Sequence, residues 1–329
     1  MKGTKMKSGK KSDLTIALPE GKNLGPQTLE LLCEARIIVK RENPRAIEAV
    51  VEGIPDITRA IFCRPEQVAE LVGDGLALFG ITGKDVILEN PQPSIEICAE
   101  LPYSRQTADG TQCVLFTRAD NPIKTLEDMR PLGIFGTHGG IAEVRKEQMI
   151  VSDYPAQTEA FLREQGLNFW VIPSRGSSEV LVYLQKYLFG VALVETGGTL
   201  YGNRLVKIEG GKISDSSTVL IGNKFTLGGN LDDPETERLR SLQLLLAGLL
   251  KGTLEARRLV HLAMNARVSC LDQILKILPT LKSPTVTPLA DPKFCSIASI
   301  VPSADVNKLI LELDYRAEDF VILLPSTVM

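Results

Sequence analysis

At 329 residues, 44% hydrophobic and 23% charged, the chain has room for two or three packed domains, and its composition excludes wholesale disorder and collagen-like sequence. Lys plus Arg number 37 and Asp plus Glu 40, for a formal charge of −3. That balance predicts no nucleic-acid or membrane partner, so any bound anion must be held by a local constellation.

The first twelve residues carry Lys2, Lys5, Lys7, Lys10 and Lys11 with no apolar signal core behind them, which predicts a solvated arm over 1–12 and a cytoplasmic protein. Leu14–Leu18 is a strand, Pro19–Asn23 a turn, and Leu29, Leu32 and Ala35 recur at helical spacing before a strand at Ile37–Val39. Ile61–Cys63, a helix over Glu66–Val72 and an apolar strand at Leu76–Ile81 continue the βα alternation. A second α/β unit follows, with strands at Cys113–Thr117, Leu132–Phe135, Met149–Ser152, Phe169–Pro173 and Val191–Val194. Its helices are Pro155–Gln165 and Ser177–Tyr187, and Thr125-x-x-Asp128 reads as a helix start. Two such lobes suit a small ligand held between strand ends.

Beyond residue 226 the pattern changes. A long helix over Pro234–Arg258 puts Leu239, Leu242, Leu246, Leu249 and Leu250 on one face. Strand, helix, strand, strand, helix and strand follow, from Leu259 to Leu324. That βαββαβ order is the split layout of a ferredoxin-like domain.

The chemistry-bearing signals are local. Val194–Leu200 runs a strand into Thr196-Gly197-Gly198-Thr199, where adjacent glycines let N–H groups converge on a phosphate and Glu195 stands beside them; a plain strand-ending turn needs the same glycines. Gly176–Val180, with Glu179, offers a second anion site at a helix start or a simple serine cap. Lys22 in the first βα turn and Arg64 after a later strand are cations at strand ends, positions at which an exposed side chain also has no role. The six cysteines are scattered and read as buried free thiols. The two histidines, His138 in a loop and His261 in a tail strand, have no partners spaced for a triad or a zinc site.

Taken in order, Leu14–Lys22, Gly80–Asp85, Ile150–Pro155, Gly176–Val180, Val194–Leu200, Leu281–Asp291 and Ile322–Pro325 resemble the ATP phosphoribosyltransferase family in its long form. The resemblance implies an α/β fold with a two-lobed, periplasmic-binding-protein-like catalytic core and a C-terminal ferredoxin-like regulatory domain. It divides the chain into lobe I (13–102 and 197–225), lobe II (103–196) and a histidine-binding domain (226–329). It implies transfer of a phosphoribosyl group from phosphoribosyl pyrophosphate (PRPP) to adenine N1 of ATP with Mg²⁺, feedback inhibition by L-histidine, and dimers or hexamers. Glu195, Thr196, Gly197, Gly198 and Thr199 would then hold PRPP, Lys22, Arg64 and Glu179 would line the cleft, and Pro279, Leu281 and Ser283 would mark the histidine region. The resemblance assigns neither catalytic residues nor metal ligands.

Against the family pattern, Leu78, Leu188 and Ala192 stand where aspartates are usual, Gln67 replaces another aspartate, Glu20 replaces a lysine, and Phe135–Lys146 reads as a lengthened connection. The missing carboxylates predict weakened PRPP binding, with Glu195 as the compensating acid. They also leave a second reading, a weak or inactive relative that senses histidine or nucleotides; a third, an unrelated two-lobed solute-binding protein, has the lack of a signal core and the βαββαβ tail against it.

Overall fold

A computed structural model describes residues 13–22, 24–103, 111–133, 145–174, 176–195, 198–230, 232–279, 283–313 and 316–325. The expected arm at 1–12, His138 and most of 135–146 lie outside them.

The first lobe runs β1 (Leu14–Pro19), α1 (Gly25–Glu34), β2 (Ile38–Arg41), β3 (Glu48–Glu52), β4 (Ile57–Cys63), α2 (Pro65–Gly73), β5 (Phe79–Gly83), α3 (Lys84–Glu89) and β6 (Ile95–Leu101). The second runs β7 (Thr111–Arg118), α4 (Leu126–Met129), β8 (Met149–Ser152), α5 (Pro155–Glu164), β9 (Trp170–Pro173), α6 (Ser178–Tyr183), β10 (Phe189–Val194), α7 (Gly198–Gly202) and β11 (Leu205–Ser216). The chain then crosses back through β12 (Thr218–Asn223), α8 (Lys224–Leu227) and α9 (Pro234–Ala256).

The seven-stranded sheet of the first lobe has the order β2-β3-β4-β1-β5-β12-β6, and the five-stranded sheet of the second has the order β11-β7-β10-β8-β9. In the first, β1 is parallel to β4 and β5; in the second, β8 is parallel to β9 and β10. The carboxyl ends of these parallel strands carry the loops that form the cleft. Each sheet is packed on both faces. Leu31, Leu32 and Leu101 lie in one layer of the first lobe and Val68, Val72 and Val219 in the other, while Leu115 and Ile150 oppose Phe116 and Val182 in the second.

Two domain boundaries differ from expectation. The return to lobe I comes at Thr218 and not at 197, because β11 pairs antiparallel with β7 from Leu205 to Ser216. The C-terminal unit does not begin at 226, because Leu239, Leu242, Leu246 and Leu250 of α9 are buried in the first lobe's core. Three elements also shift. The strand expected from Leu76 begins at Phe79, Leu76 being an exposed turn residue, and the strand expected at Leu132 is a 3₁₀ turn over Arg130–Leu132. Helix α6 stops at Tyr183, ahead of a positive φ of 59° at Gln185.

The third unit comprises β13 (Leu259–Arg267), α10 (Leu271–Ile277), β14 (Thr285–Pro288), β15 (Phe294–Pro302), α11 (Val306–Leu313) and β16 (Ala317–Leu323). Its sheet order, β14-β15-β13-β16 with every described pairing antiparallel, is ferredoxin-like. Leu262, Met264 and Ile297 face the helices, and His261 alternates onto the open face. Among the described residues no helix is long and apolar enough to cross a membrane. All six cysteines are free, but only Cys113 and Cys295 are buried, and Cys33 is exposed.

Candidate functional site

A cavity of about 1200 Å³ opens between the lobes, and Arg64, Asp85, Glu89, Asp153, Glu179 and Ala192 are among its lining residues. A neighbouring cavity of about 330 Å³ is lined in part by Asp85, Tyr154 and Glu195. The shared lining joins them into one cleft.

On the first-lobe side, Arg64 caps the start of α2. Its backbone N–H is accepted by the Gln67 side chain at 3.2 Å, so glutamine here serves the helix end. The Arg64 guanidinium stays exposed at the cleft. Lys22 is exposed on the turn after β1, outside the described lining of both cavities. Glu20 pairs with Arg41 at 2.8 Å, and that guanidinium lies 3.8 Å over the Phe62 ring. Burial, then the charges of Glu20 and Glu70, push the Cys63 thiol up to about 11, which keeps it protonated and inert near neutral pH.

On the second-lobe side, Asp153 follows β8. One of its carboxylate oxygens accepts the N–H of Gly176 at 2.9 Å, and the other accepts the hydroxyl of fully buried Ser178 at 2.7 Å. Gly176 has a φ of 75°, a conformation a side chain would strain, so the loop between β9 and α6 needs glycine to reach Asp153. Burial raises the proton affinity of Glu179, and the Asp153 charge raises it further.

Asp85 joins the two sides. It is buried, accepts the Ser216 hydroxyl at 2.6 Å and accepts the Tyr154 hydroxyl at 3.1 Å. Burial raises the Tyr154 proton affinity, and the Asp85 charge and hydrogen bond add to it, so Tyr154 is a standing donor.

The structure thus brings Arg64 and Glu179 to one cavity and Glu195 to the adjoining one. Gly198 opens α7, just past the cleft end of β10. Thr196 and Gly197 lie outside the described residues, and the side chain of Thr199 is not described. In the third unit Pro279 and Ser283 are exposed, the Pro279 carbonyl accepts the Ser299 hydroxyl at 3.4 Å, and Leu281 lies outside the described residues. Of the positions where aspartate was expected, Leu78 is buried in the first core and Leu188 packs on the second, while Gln67 and Ala192 line the cleft. Sequence reading missed Asp85, Glu89, Asp153 and Tyr154 as site residues. Asp85, Asp153 and Tyr154 lie at or near the ends of two of the segments that carry the family resemblance, within two residues of a strand end, and that position was the available signal.

A family model described as HisG, ATP phosphoribosyltransferase, matches residues 64–244, and a second for the HisG C-terminal domain matches residues 256–323. The ATP phosphoribosyltransferase of Chlorobium luteolum is 31% identical over 301 residues, covering 91% of this chain and 92% of that protein. The Pelotomaculum thermopropionicum enzyme of the same name is 29% identical over 316 residues, covering 95% and 98%. Among solved structures, the ATP phosphoribosyl transferase (HisG:HisZ) complex from Thermotoga maritima aligns at a TM-score of 0.50 and 22% identity, over 72% of this chain and 98% of that one, which shows the shared fold.

Proposed function

Because the chain belongs to the ATP phosphoribosyltransferase family, we propose that its interlobe cleft joins ATP to PRPP, giving N1-(5-phosphoribosyl)-ATP and pyrophosphate in the first step of histidine biosynthesis. The observation that carries the site assignment is the cleft itself. Parallel strand ends of both lobes deliver a cation, several carboxylates and the segment after β10 to one open volume large enough for two phosphorylated substrates.

The adenine N1 displaces pyrophosphate at the anomeric carbon, a reaction that asks mainly for alignment and charge neutralisation. The loop Glu195–Thr199 takes the 5′-phosphate of PRPP, supported by its place after the cleft end of β10. Arg64 lies where a guanidinium meets phosphate oxygens, and Lys22 supplies a second cation from the turn after β1. Among the described residues no group of three or more metal-ligating side chains occurs. The donor chemistry fits Mg²⁺ carried by substrate phosphates and met by one or two carboxylates, and Glu179 beside Asp153 is the pair that would hold it. When bound, the ion neutralises the departing pyrophosphate.

The third unit, matched by the family's C-terminal model, binds L-histidine near Pro279, Leu281 and Ser283 and lowers activity from there. Its exposed Val321, Leu323 and Leu324 support self-association into a dimer or hexamer. The enzyme works in the cytoplasm, a reading supported by its free cysteines.

Purified full-length chain should release pyrophosphate only when ATP, PRPP and Mg²⁺ are all present. Gly198→Val should abolish that release and PRPP binding while leaving the circular dichroism spectrum unchanged. No release by the wild-type chain would refute the reading, and full PRPP affinity in Gly198→Val would move the phosphate site elsewhere.

A further inference from the structure

The N-terminus of α5 is capped from the other lobe. Pro155 occupies its first turn, so the first free donors are the N–H groups of Ala156 and Gln157. Tyr154, the residue at the cap, supplies no side-chain acceptor, and no acidic residue stands in that turn. The acceptor is Glu89, the last residue of α3 in the first lobe. One carboxylate oxygen takes the Ala156 N–H at 2.9 Å and the other takes the Gln157 N–H at 3.2 Å.

The same seam contains Tyr154 donating to the Asp85 carboxylate and the Gln157 side-chain amide donating to the Asp85 backbone carbonyl at 3.1 Å. Gln157 is itself held by the Ser214 hydroxyl at 2.8 Å, and Asp85 by Ser216, so both ends of the seam are tied to β11, beside the crossing at Ser217. Glu89 and Asp85 both line the main cavity, which makes the seam an end wall of the cleft.

We propose that Glu89 is a positioning residue for the transfer reaction. Its carboxylate caps α5 across the cleft and sets the separation of the two lobes before substrate arrives, so binding does not have to drive closure. This rests on the reading of the cleft as the transferase site.

Hydrogen exchange and steady-state kinetics on the full chain test it. In Glu89→Ala, amides at the start of α5 should exchange about tenfold faster, as expected for loss of a charge-assisted pair. The KM for PRPP should rise about tenfold with kcat held within about twofold, because a smaller fraction of the chain is ready to bind. Glu89→Gln keeps one acceptor oxygen and should recover most of both effects. A merely structural role would lower only the fraction of folded chain, and so the apparent kcat at constant KM. That pattern, faster exchange with unchanged KM, or no change in either, would overturn the proposal while leaving the transferase reading intact. If wild-type chain is inactive, the transferase reading fails, and PRPP affinity measured by calorimetry in Glu89→Ala then tests the positioning role alone, an unchanged affinity overturning it.

Discussion

Glu179 and Asp153 bring two carboxyl groups to one wall of the cleft, and the environment separates their roles. Asp153 has both oxygens engaged by Gly176 and Ser178, whereas burial and the Asp153 charge raise the proton affinity of Glu179. The linkage sign follows. Just above the ordinary value of 4.5, the folded chain keeps a proton on Glu179 that the unfolded chain has released, so stability falls as pH rises through that window. Glu179→Gln should flatten this dependence in urea melts taken across the same range. In Asp153→Asn the Glu179 titration midpoint, followed by carbon NMR, should move back toward 4.5; an unmoved midpoint would exclude the Asp153 charge as a cause. The same wall offers further acids beside Ala192, in addition to Glu195. Ala192 shares its cavity with Asp153, Glu179 and Asp85, while Glu195 lies in the adjoining one.

Each lobe seats a helix on its sheet over a glycine. A Cβ on Gly80 of β5 would come within 2.6 Å of Val68 and 2.9 Å of Val72 on α2, and one on Gly190 of β10 within 2.5 Å of Phe116 and 2.8 Å of Val182 on α6. These neighbours are buried, so little can give way. Gly190→Ala should cost about 1–3 kcal/mol by overpacking, read as a lowered urea midpoint with unchanged m-value. A stability equal to wild type would show that α6 can lift off its strand freely. Gly80, first met in a segment that carries the family resemblance, thus serves packing. Elements with one apolar stripe were legible in sequence: the Leu face of α9, the run of β10, and the alternation of β13. Those whose partners are remote were not. Strand β3 alternates exposed and buried residues between β2 and β4, and β12 has a place only because β5 and β6 flank it. The segment proposed as the phosphate loop stood out because its glycines are contiguous, whereas the seam of Glu89 with Ala156 and Gln157 joins residues 67 and 68 positions apart.

At the scale of the whole molecule, α9 decides where the chain can be cut. A fragment spanning 13–257 should fold, because it keeps the helix that closes the first core and Arg257, which pairs with Glu34 at 2.8 Å. A fragment spanning 13–225 loses six buried leucines, Leu227, Leu239, Leu242, Leu246, Leu250 and Leu254, each contributing about 1.5–3 kcal/mol, a total comparable with the entire stability of a domain. Thermal unfolding followed by circular dichroism should show a cooperative transition for the longer fragment and none for the shorter; equal transitions would mean α9 is dispensable. The placement of β12 between β5 and β6 has a further consequence, for synthesis on the ribosome. Every strand of the second sheet is translated before β12, so the inserted lobe can complete its pairing while β5 and β6 still lack the strand that joins them. Of the two lobes, the one begun first therefore finishes second, and its open strand edges wait, exposed to aggregation and to chaperones, until residue 223 has left the exit tunnel.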